Sequence, residues 1–443
     1  MKSKLSHVQV IAFGYILMIL IGTLLLMLPF ASADGQCAPF QTAAFTATSA
    51  SCVTGLILRD TATAWTPFGQ AVILLLIQVG GLGFMTIATL FFLAAGKRMG
   101  LRSREIMVES INTTKIGGLM KLTKTILLGT LCFEGTGALL LAIRFVPTFG
   151  WGKGIWYSMF HAVSAFCNAG FDLLGVYEPF CSLVPYQSDW LVNLVIMALI
   201  VLGGLGFLVW EDLMRCGLRF KRYRLHTKLV LSASAILLFG GALLIYVFEA
   251  NATGADLSQG ERILTALFAS VTCRTAGFNT VDVAAMSNAS KLLSVLLMLI
   301  GGSPGSTAGG IKTTTVAVIL LYTVASFRGD SSPTVFGRRI SEDTLRKSVN
   351  VLFINVSIML AAAIALCALQ PLPLVDVLYE TSSAMGTVGI TTGITRDLCS
   401  ASVWIIALLM YLGRVGSVTF AVALLEKRAK PPVSYPTEQI TVG

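Results

Sequence analysis

Residues 267–278 read LFASVTCRTAGF, and the same outline returns at 45–56 (FTATSASCVTGL), at 160–171 (FHAVSAFCNAGF) and at 379–390 (YETSSAMGTVGI). Each is a semi-polar stretch that closes on a glycine and an apolar residue. Gly55, Gly170, Gly277 and Gly389 stand 115, 107 and 112 residues apart, which is one period repeated along the chain. Around these stretches lie apolar windows at roughly 8–30, 67–95, 120–146, 189–211, 227–249, 290–325, 346–369 and 401–425. Each holds about 20 or more mostly apolar residues, enough to cross the hydrocarbon core. The expected unit is therefore a spanning helix, a short helix entering the membrane, a glycine-bearing return and a second spanning helix.

Composition agrees with that unit. Of 443 residues 55% are hydrophobic and 12% charged, with a mean hydropathy of +0.80, too few charges to cover a soluble globule of this size. The expected fold class is an all-α integral membrane protein of four tandem helix–pore loop–helix repeats, eight transmembrane helices in all, around one pseudo-fourfold pore. The repeats fall at 1–96, 97–216, 217–328 and 329–443. Non-helical backbone at membrane depth is tolerated only where protein buries it or it lines a water-filled cavity, so four returns imply one shared cavity. The N-terminal run, whose apolar part is longer than a signal-peptide core and ends in MLPF, reads as a retained first helix.

The formal charge of +10 is placed unevenly. The N-terminus, the segments near 97–124, 215–228 and 328–347, and the C-terminal tail hold 23 of the 32 lysines and arginines, and the intervening loops hold six. The positive-inside rule puts both termini in the cytoplasm of a multi-pass plasma-membrane protein, and the basic charge needs no nucleic-acid partner. The nine cysteines show no CxxC and no metal-ligand spacing, so no transition metal is expected. Cys37, Cys181 and Cys399 share one set of loops, and free thiols are the simpler reading.

A dehydrated cation needs oxygens in place of its water, and a ring of backbone carbonyls supplies them. Such a ring needs consecutive peptide oxygens turned one way, at backbone angles that glycine adopts cheaply. The C-termini of four entering helices add partial negative charge at the centre. A second register supports the repeat: GGLG at 80 and 203, GGSP at 301 and GRVG at 413 begin 25, 33, 24 and 24 residues after the respective glycines. Close packing through small residues accounts for the first two copies but not for the proline and arginine of the last two.

TATSASCVTGL, HAVSAFCNAGF, SVTCRTAGFN and SAMGTVGITTGIT, together with GGSPGSTAGGIKTTT and YLGRVGSVTF, resemble the Trk/Ktr/HKT superfamily of cation transporters. The likeness runs over essentially the whole chain and is greatest to KtrB or NtpJ-like membrane subunits of bacterial potassium uptake. It implies a selectivity filter, binding K+, of Val53, Thr54 and Gly55; Asn168, Ala169 and Gly170; Thr275, Ala276 and Gly277; and Thr387, Val388 and Gly389. Glycine at all four closing positions goes, in that superfamily, with potassium selectivity. A sodium-conducting relative is the second reading. An intramembrane enzyme is a distant third, because no paired acids or nucleophile–base pair is visible.

GGSPGSTAGGIKTTT (301–315) comes within one inserted residue of a Walker A loop, but apolar flanks and the lack of a preceding strand exclude a phosphate cradle. Its proline and glycines break the sixth window into a flexible loop. By the resemblance this loop is the gate: Gly301, Gly302, Ser303, Pro304, Gly305, Ser306, Thr307, Ala308, Gly309 and Gly310, with Lys312. Pro304 stands where another small residue is expected. Arg414 occupies, in the fourth copy, the register of Gly81, Gly204 and Gly302. A charge at that depth costs about 2.5–3.5 kcal/mol even on insertion scales, so it should face the cavity as a positive barrier. Lys312 shares that role or reaches the cytoplasmic surface. Arg274 is expected to brace its return through carbonyls, His161 to be structural and Glu134 to be buried and hydrogen-bonded; Asp282 attracts cations at the mouth or is simply solvated.

The eight spans and four pore segments leave no residues for a soluble nucleotide-binding domain. The resemblance implies a homodimer, with the EQITVG tail at its interface. It also implies a cytoplasmic RCK-type regulatory ring, KtrA- or KtrC-like, that carries ATP or ADP, with Na+ as a stimulating ion. The chain itself is expected to hold no cofactor beyond the transported K+.

Overall fold

The computed structural model describes residues 7–83, 119–217, 219–330 and 332–416. The far half of the second apolar window, most of the basic segment 97–124 and the C-terminal tail with EQITVG lie outside them.

The regular structure of the described residues is helical apart from one hairpin of two-residue strands, Thr334–Val335 against Arg338–Arg339. Among the described residues four helices are long and apolar enough to cross a membrane: Gln9–Leu26, Thr123–Phe149, Leu225–Phe248 and Glu342–Leu369. Each opens a repeat. Each is followed by a shorter helix that runs up to a glycine-bearing return: Phe40–Cys52, Trp151–Phe166, Gln259–Thr272 and Leu374–Gly386. Each return leads to a second apolar helix, respectively Pro67–Leu82, Trp190–Leu205, Asn288–Leu299 and Ser400–Val415.

These second helices stop at the small-residue register. Gly83, Gly206 and Gly416 cap three of them at φ of 80°, 94° and 93°, angles glycine takes without the cost a Cβ imposes. The window at 189–211 is accordingly not one straight span. It bends by 96° at Gly206 and continues as Phe207–Cys216. GGLG is thus both a helix stop and a packing surface. A Cβ on Gly80, Gly203 or Gly413 would sit 2.1, 2.0 or 2.2 Å from the carbonyl oxygens of Ser51, Phe166 and Met385, each four residues before the glycine that closes its repeat's return.

The core closes the repeats into a ring. One buried cluster joins the first and second repeats through Ile73, Ile77, Phe160 and Phe166. A second joins the fourth to the first through Phe45, Leu56, Ile406 and Met410. A third joins the third to the fourth through Met298, Tyr379 and Val388. Large apolar side chains of the long helices, Leu24, Leu131, Leu139, Ile236, Phe239, Phe353 and Ile364 among them, point outward and are exposed, as a lipid-facing surface requires.

Candidate functional site: a glycine ring above a pinned loop

Each return turns left-handed two residues before its glycine. Val53, Asn168, Thr275 and Thr387 take φ of 58°, 60°, 68° and 52°, and Gly55, Gly170, Gly277 and Gly389 take 100°, 69°, 90° and 94°. Asparagine tolerates the left-handed region, but valine and threonine resist it, and a branched residue there stores roughly 1–3 kcal/mol that its surroundings must supply. Three such residues at one repeated position mark a backbone held for a purpose.

The glycines meet in cyclic order. A Cβ on Gly55 would lie 2.5 Å from Ala169 O, on Gly170 2.7 Å from Ala276 O, on Gly277 2.6 Å from Val388 O, and on Gly389 2.0 Å from Thr54 O. Every glycine abuts the carbonyl of the next repeat, and the fourth returns to the first. The four glycines proposed from the sequence and the carbonyls of Thr54, Ala169, Ala276 and Val388 are therefore brought together in one closed ring, with the remaining four proposed residues next to them in the chain.

The ring is held from behind by hydroxyls and amides. Gly55 N–H donates to Ser49 Oγ and Gly389 N–H to Ser383 Oγ, both at 3.0 Å. In the second repeat Ser164 donates instead to Phe171 O (2.7 Å), and in the third Thr272 donates to Phe278 O (2.6 Å). The Asn168 amide spans two repeats, its nitrogen donating to Ala165 O (3.1 Å) and Ile200 O (3.2 Å) and its oxygen accepting from Thr275 Oγ1 (3.2 Å). These hydroxyls escape a search for glycines alone, although Ser49, Ser164 and Ser383 all stand six residues before theirs. Ser49→Ala or Ser383→Ala should strand one buried N–H, at a cost of about 1–3 kcal/mol. We expect a lowered K+/Na+ flux ratio in proteoliposomes with the fold intact by circular dichroism; an unaltered ratio in both variants would exclude a bracing role.

The broken sixth window lies against the ring, but not as an unattached flexible loop. Gly301 N–H donates to Ile311 O (2.8 Å), Ser303 N–H to Gly204 O (3.0 Å), Thr307 N–H to Gly203 O (3.3 Å) and Gly310 N–H to Gly413 O (3.3 Å), while Gly305 O accepts from Phe207 N (2.8 Å). Its closest approach to the ring is at Gly309, where a Cβ would lie 2.1 Å from Thr387 Oγ1. Pro304 sits at the opposite edge, its carbonyl packed on Gly206. Lys312 does not run to the surface. Its Nζ turns back to donate to Ala308 O (2.7 Å) and Gly309 O (3.3 Å).

Arg414 ties the loop to the first repeat. One guanidinium nitrogen donates to Thr307 O, another to Gly80 O and to Gly81 O (3.1 Å), and Nε to Tyr15 Oη (3.4 Å). Arg274 departs from expectation. Only 8% exposed, it lines a small cavity together with Ile200, Gly204 and Ser234 and makes no side-chain hydrogen bond or ion pair among the described residues, so it does not brace the return. His161 is a satisfied structural residue, Nδ1 on Tyr157 O (2.7 Å) and Nε2 accepting from Leu173 N (3.4 Å). Glu134 is buried behind the second return, accepting from Gln78 Nε2 at 3.2 Å. Asp282 is exposed and accepts from Ala284 N. The described cysteines are all free.

Comparison with known proteins matches this geometry to a family. The model of the TrkH family, described as cation transport protein, matches residues 4–430. The chain is 43% identical to the potassium/sodium uptake protein NtpJ of Enterococcus hirae, covering 100% of this chain and 98% of that one. It is 40% identical to the Ktr system potassium uptake protein B of Bacillus subtilis, over 98% of this chain and 96% of the other. The fold is that of the potassium transporter TrkH from Vibrio parahaemolyticus, with a TM-score of 0.75 at 16% identity over 96% of this chain and 86% of that one. A ring of four glycine returns in a helical membrane protein and a family match over nearly its whole length lead to one conclusion: the chain belongs to the TrkH family of cation transport proteins.

Proposed function

We propose that this protein takes up potassium across the cytoplasmic membrane as the ion-translocating subunit of a Ktr-type system. The observation that carries the reading is the cyclic contact of Gly55, Gly170, Gly277 and Gly389 with the carbonyls of Ala169, Ala276, Val388 and Thr54. A centre bounded by carbonyl oxygens and by the C-terminal ends of four pore helices favours a monovalent cation without any carboxylate. The twelve ring residues are the filter, the loop Gly301–Gly310 with Lys312 is the gate, and Arg414 is its latch. The division into four repeats at 1–96, 97–216, 217–328 and 329–443 follows the same reading. The concentration of lysine and arginine in the terminal and alternate loop segments supports cytoplasmic termini. A homodimer, and a cytoplasmic RCK-type ring that carries ATP or ADP, complete the assembly.

Sodium conduction is the second reading, because the Enterococcus relative is named for both ions. The two separate by flux from proteoliposomes carrying the protein with a Ktr-type regulatory subunit. We expect K+ and Rb+ to pass at least tenfold faster than Na+. Equal rates would retire the potassium assignment, and no flux of either ion would retire the transport reading itself.

A further inference from the structure

Away from the glycine ring, the loop forms one wall of a cavity of about 860 Å³, into which none of the ring residues projects. The charge of this vestibule is unexpected for a cation path. Among the described residues Lys312, Arg339, Lys347 and Arg414 line it, and no aspartate or glutamate does. The donors of Lys312 and Arg414 are directed at carbonyl oxygens, which orient a cation without cancelling its charge. No ion pair reaches Lys312, Lys347 or Arg414 among the described residues.

Helix geometry adds to the same sign. The helices Leu225–Phe248, Thr313–Phe327 and Glu342–Leu369 all begin at this wall, with Leu225, Thr314 and Ser341 lining it, and none has a side-chain cap. Thr313 N–H is taken by Gly302 O (3.1 Å), and Asp212 accepts from Arg224 N (3.2 Å) and Thr227 Oγ1 (2.6 Å) at the start of the first helix, so what these starts offer an anion is chiefly their positive dipole ends. Glu342 and Asp343, in the first turn of the last, are exposed and do not line the cavity. His226 lines it too, and its buried Nε2 has no hydrogen-bond partner among the described residues.

We propose that this vestibule binds a phosphate group. Several fixed cations, three helix starts and no carboxylate among the described lining residues suit the charge and multiple acceptor oxygens of phosphate, and the volume exceeds what a single halide would fill. The group belongs either to a soluble phosphate compound or to the headgroup of an anionic lipid. The site stands on the cavity alone. On the transport reading it also supplies negative charge below the loop, where the charged side chains among the described lining residues are all positive.

The test uses the full-length protein in nanodiscs and reads its thermal unfolding midpoint, so a failed potassium assignment leaves the outcome interpretable. In phosphatidylcholine discs, inorganic phosphate should raise the midpoint above that in chloride of equal ionic strength. Lys347→Gln should weaken phosphate binding roughly tenfold or more, the worth of one charge-assisted hydrogen bond, while Lys347→Arg retains it. Arg328→Gln, an exposed cation outside the cavity, should respond as wild type does. If a lipid is the natural source, phosphatidylglycerol discs will give the stabilisation without added phosphate, and Lys347→Gln will lose it. The proposal is overturned if chloride matches phosphate and phosphatidylglycerol adds nothing over phosphatidylcholine, or if Lys347→Gln and Arg328→Gln behave alike.

Discussion

Replacing Arg414 with alanine should raise potassium flux roughly tenfold or more. The guanidinium joins three parts of the chain distant in sequence: Thr307 in the loop, 107 positions away, Gly80 at the end of the first repeat's second helix, 334 positions away, and Tyr15 in the first long helix. A hydrogen bond from a charged donor contributes about 1.5–3 kcal/mol. Losing even one that exists only with the loop in place shifts its equilibrium toward the displaced state by a factor of about ten or more. Arg414→Lys separates the two ways in which this residue can slow the ion. A lysine keeps the positive charge but has no planar fork with which to reach Thr307 and Gly80 together. If Arg414 acts as a latch, the lysine variant leaks nearly as much as the alanine variant. If it acts only as an electrostatic barrier, the lysine variant stays as slow as wild type. Rubidium uptake into proteoliposomes decides between them, and unchanged uptake in both variants, with the protein folded, would remove Arg414 from gating.

The parts of this structure legible in the sequence are those whose geometry demands a particular residue type. Gly55, Gly170, Gly277 and Gly389 were visible because a left-handed turn pressed against a neighbouring carbonyl admits no Cβ. Arg414 was visible because a charge among apolar residues is costly enough to need a reason. The left-handed turns at Val53, Thr275 and Thr387 were illegible for the opposite reason. Branched residues disfavour that conformation, and only packing between repeats holds them in it. The same limit applies to Arg274, which shares a small cavity with Ile200 and Gly204 of Trp190–Leu205 and Ser234 of Leu225–Phe248, and nothing in RTAGFN marks them as its surroundings. The bend at Gly206 was partly legible. GGLG announced small residues, but packing and helix termination use glycine alike, and only the 94° φ of Gly206 separates the two.

Gly389→Ala should have the larger effect on selectivity. The added methyl would lie 2.0 Å from Thr54 O and 2.9 Å from Gly55 Cα, at a φ of 94° that side chains rarely adopt. Neither neighbour is a flexible side chain that can swing aside, so the backbone of the first or fourth repeat must move. Thr54 O is itself one of the four ring carbonyls, and on the proposed assignment any shift that relieves the clash changes the cage around the ion. A carbonyl ring discriminates by the number and placement of its oxygens. We therefore expect the K+/Na+ flux ratio to fall tenfold or more, through faster sodium passage or lost potassium passage. Gly35→Ala provides the comparison. Gly35 has a φ of 68°, but nothing lies within 4 Å of its missing Cβ. That substitution carries the backbone strain of roughly 1 kcal/mol without the clash, and should lower stability slightly while leaving selectivity alone. If Gly389→Ala preserves the flux ratio, the four returns are scaffold and the ion is selected elsewhere. If Gly35→Ala lowers the ratio as much, lost stability is sufficient to explain both.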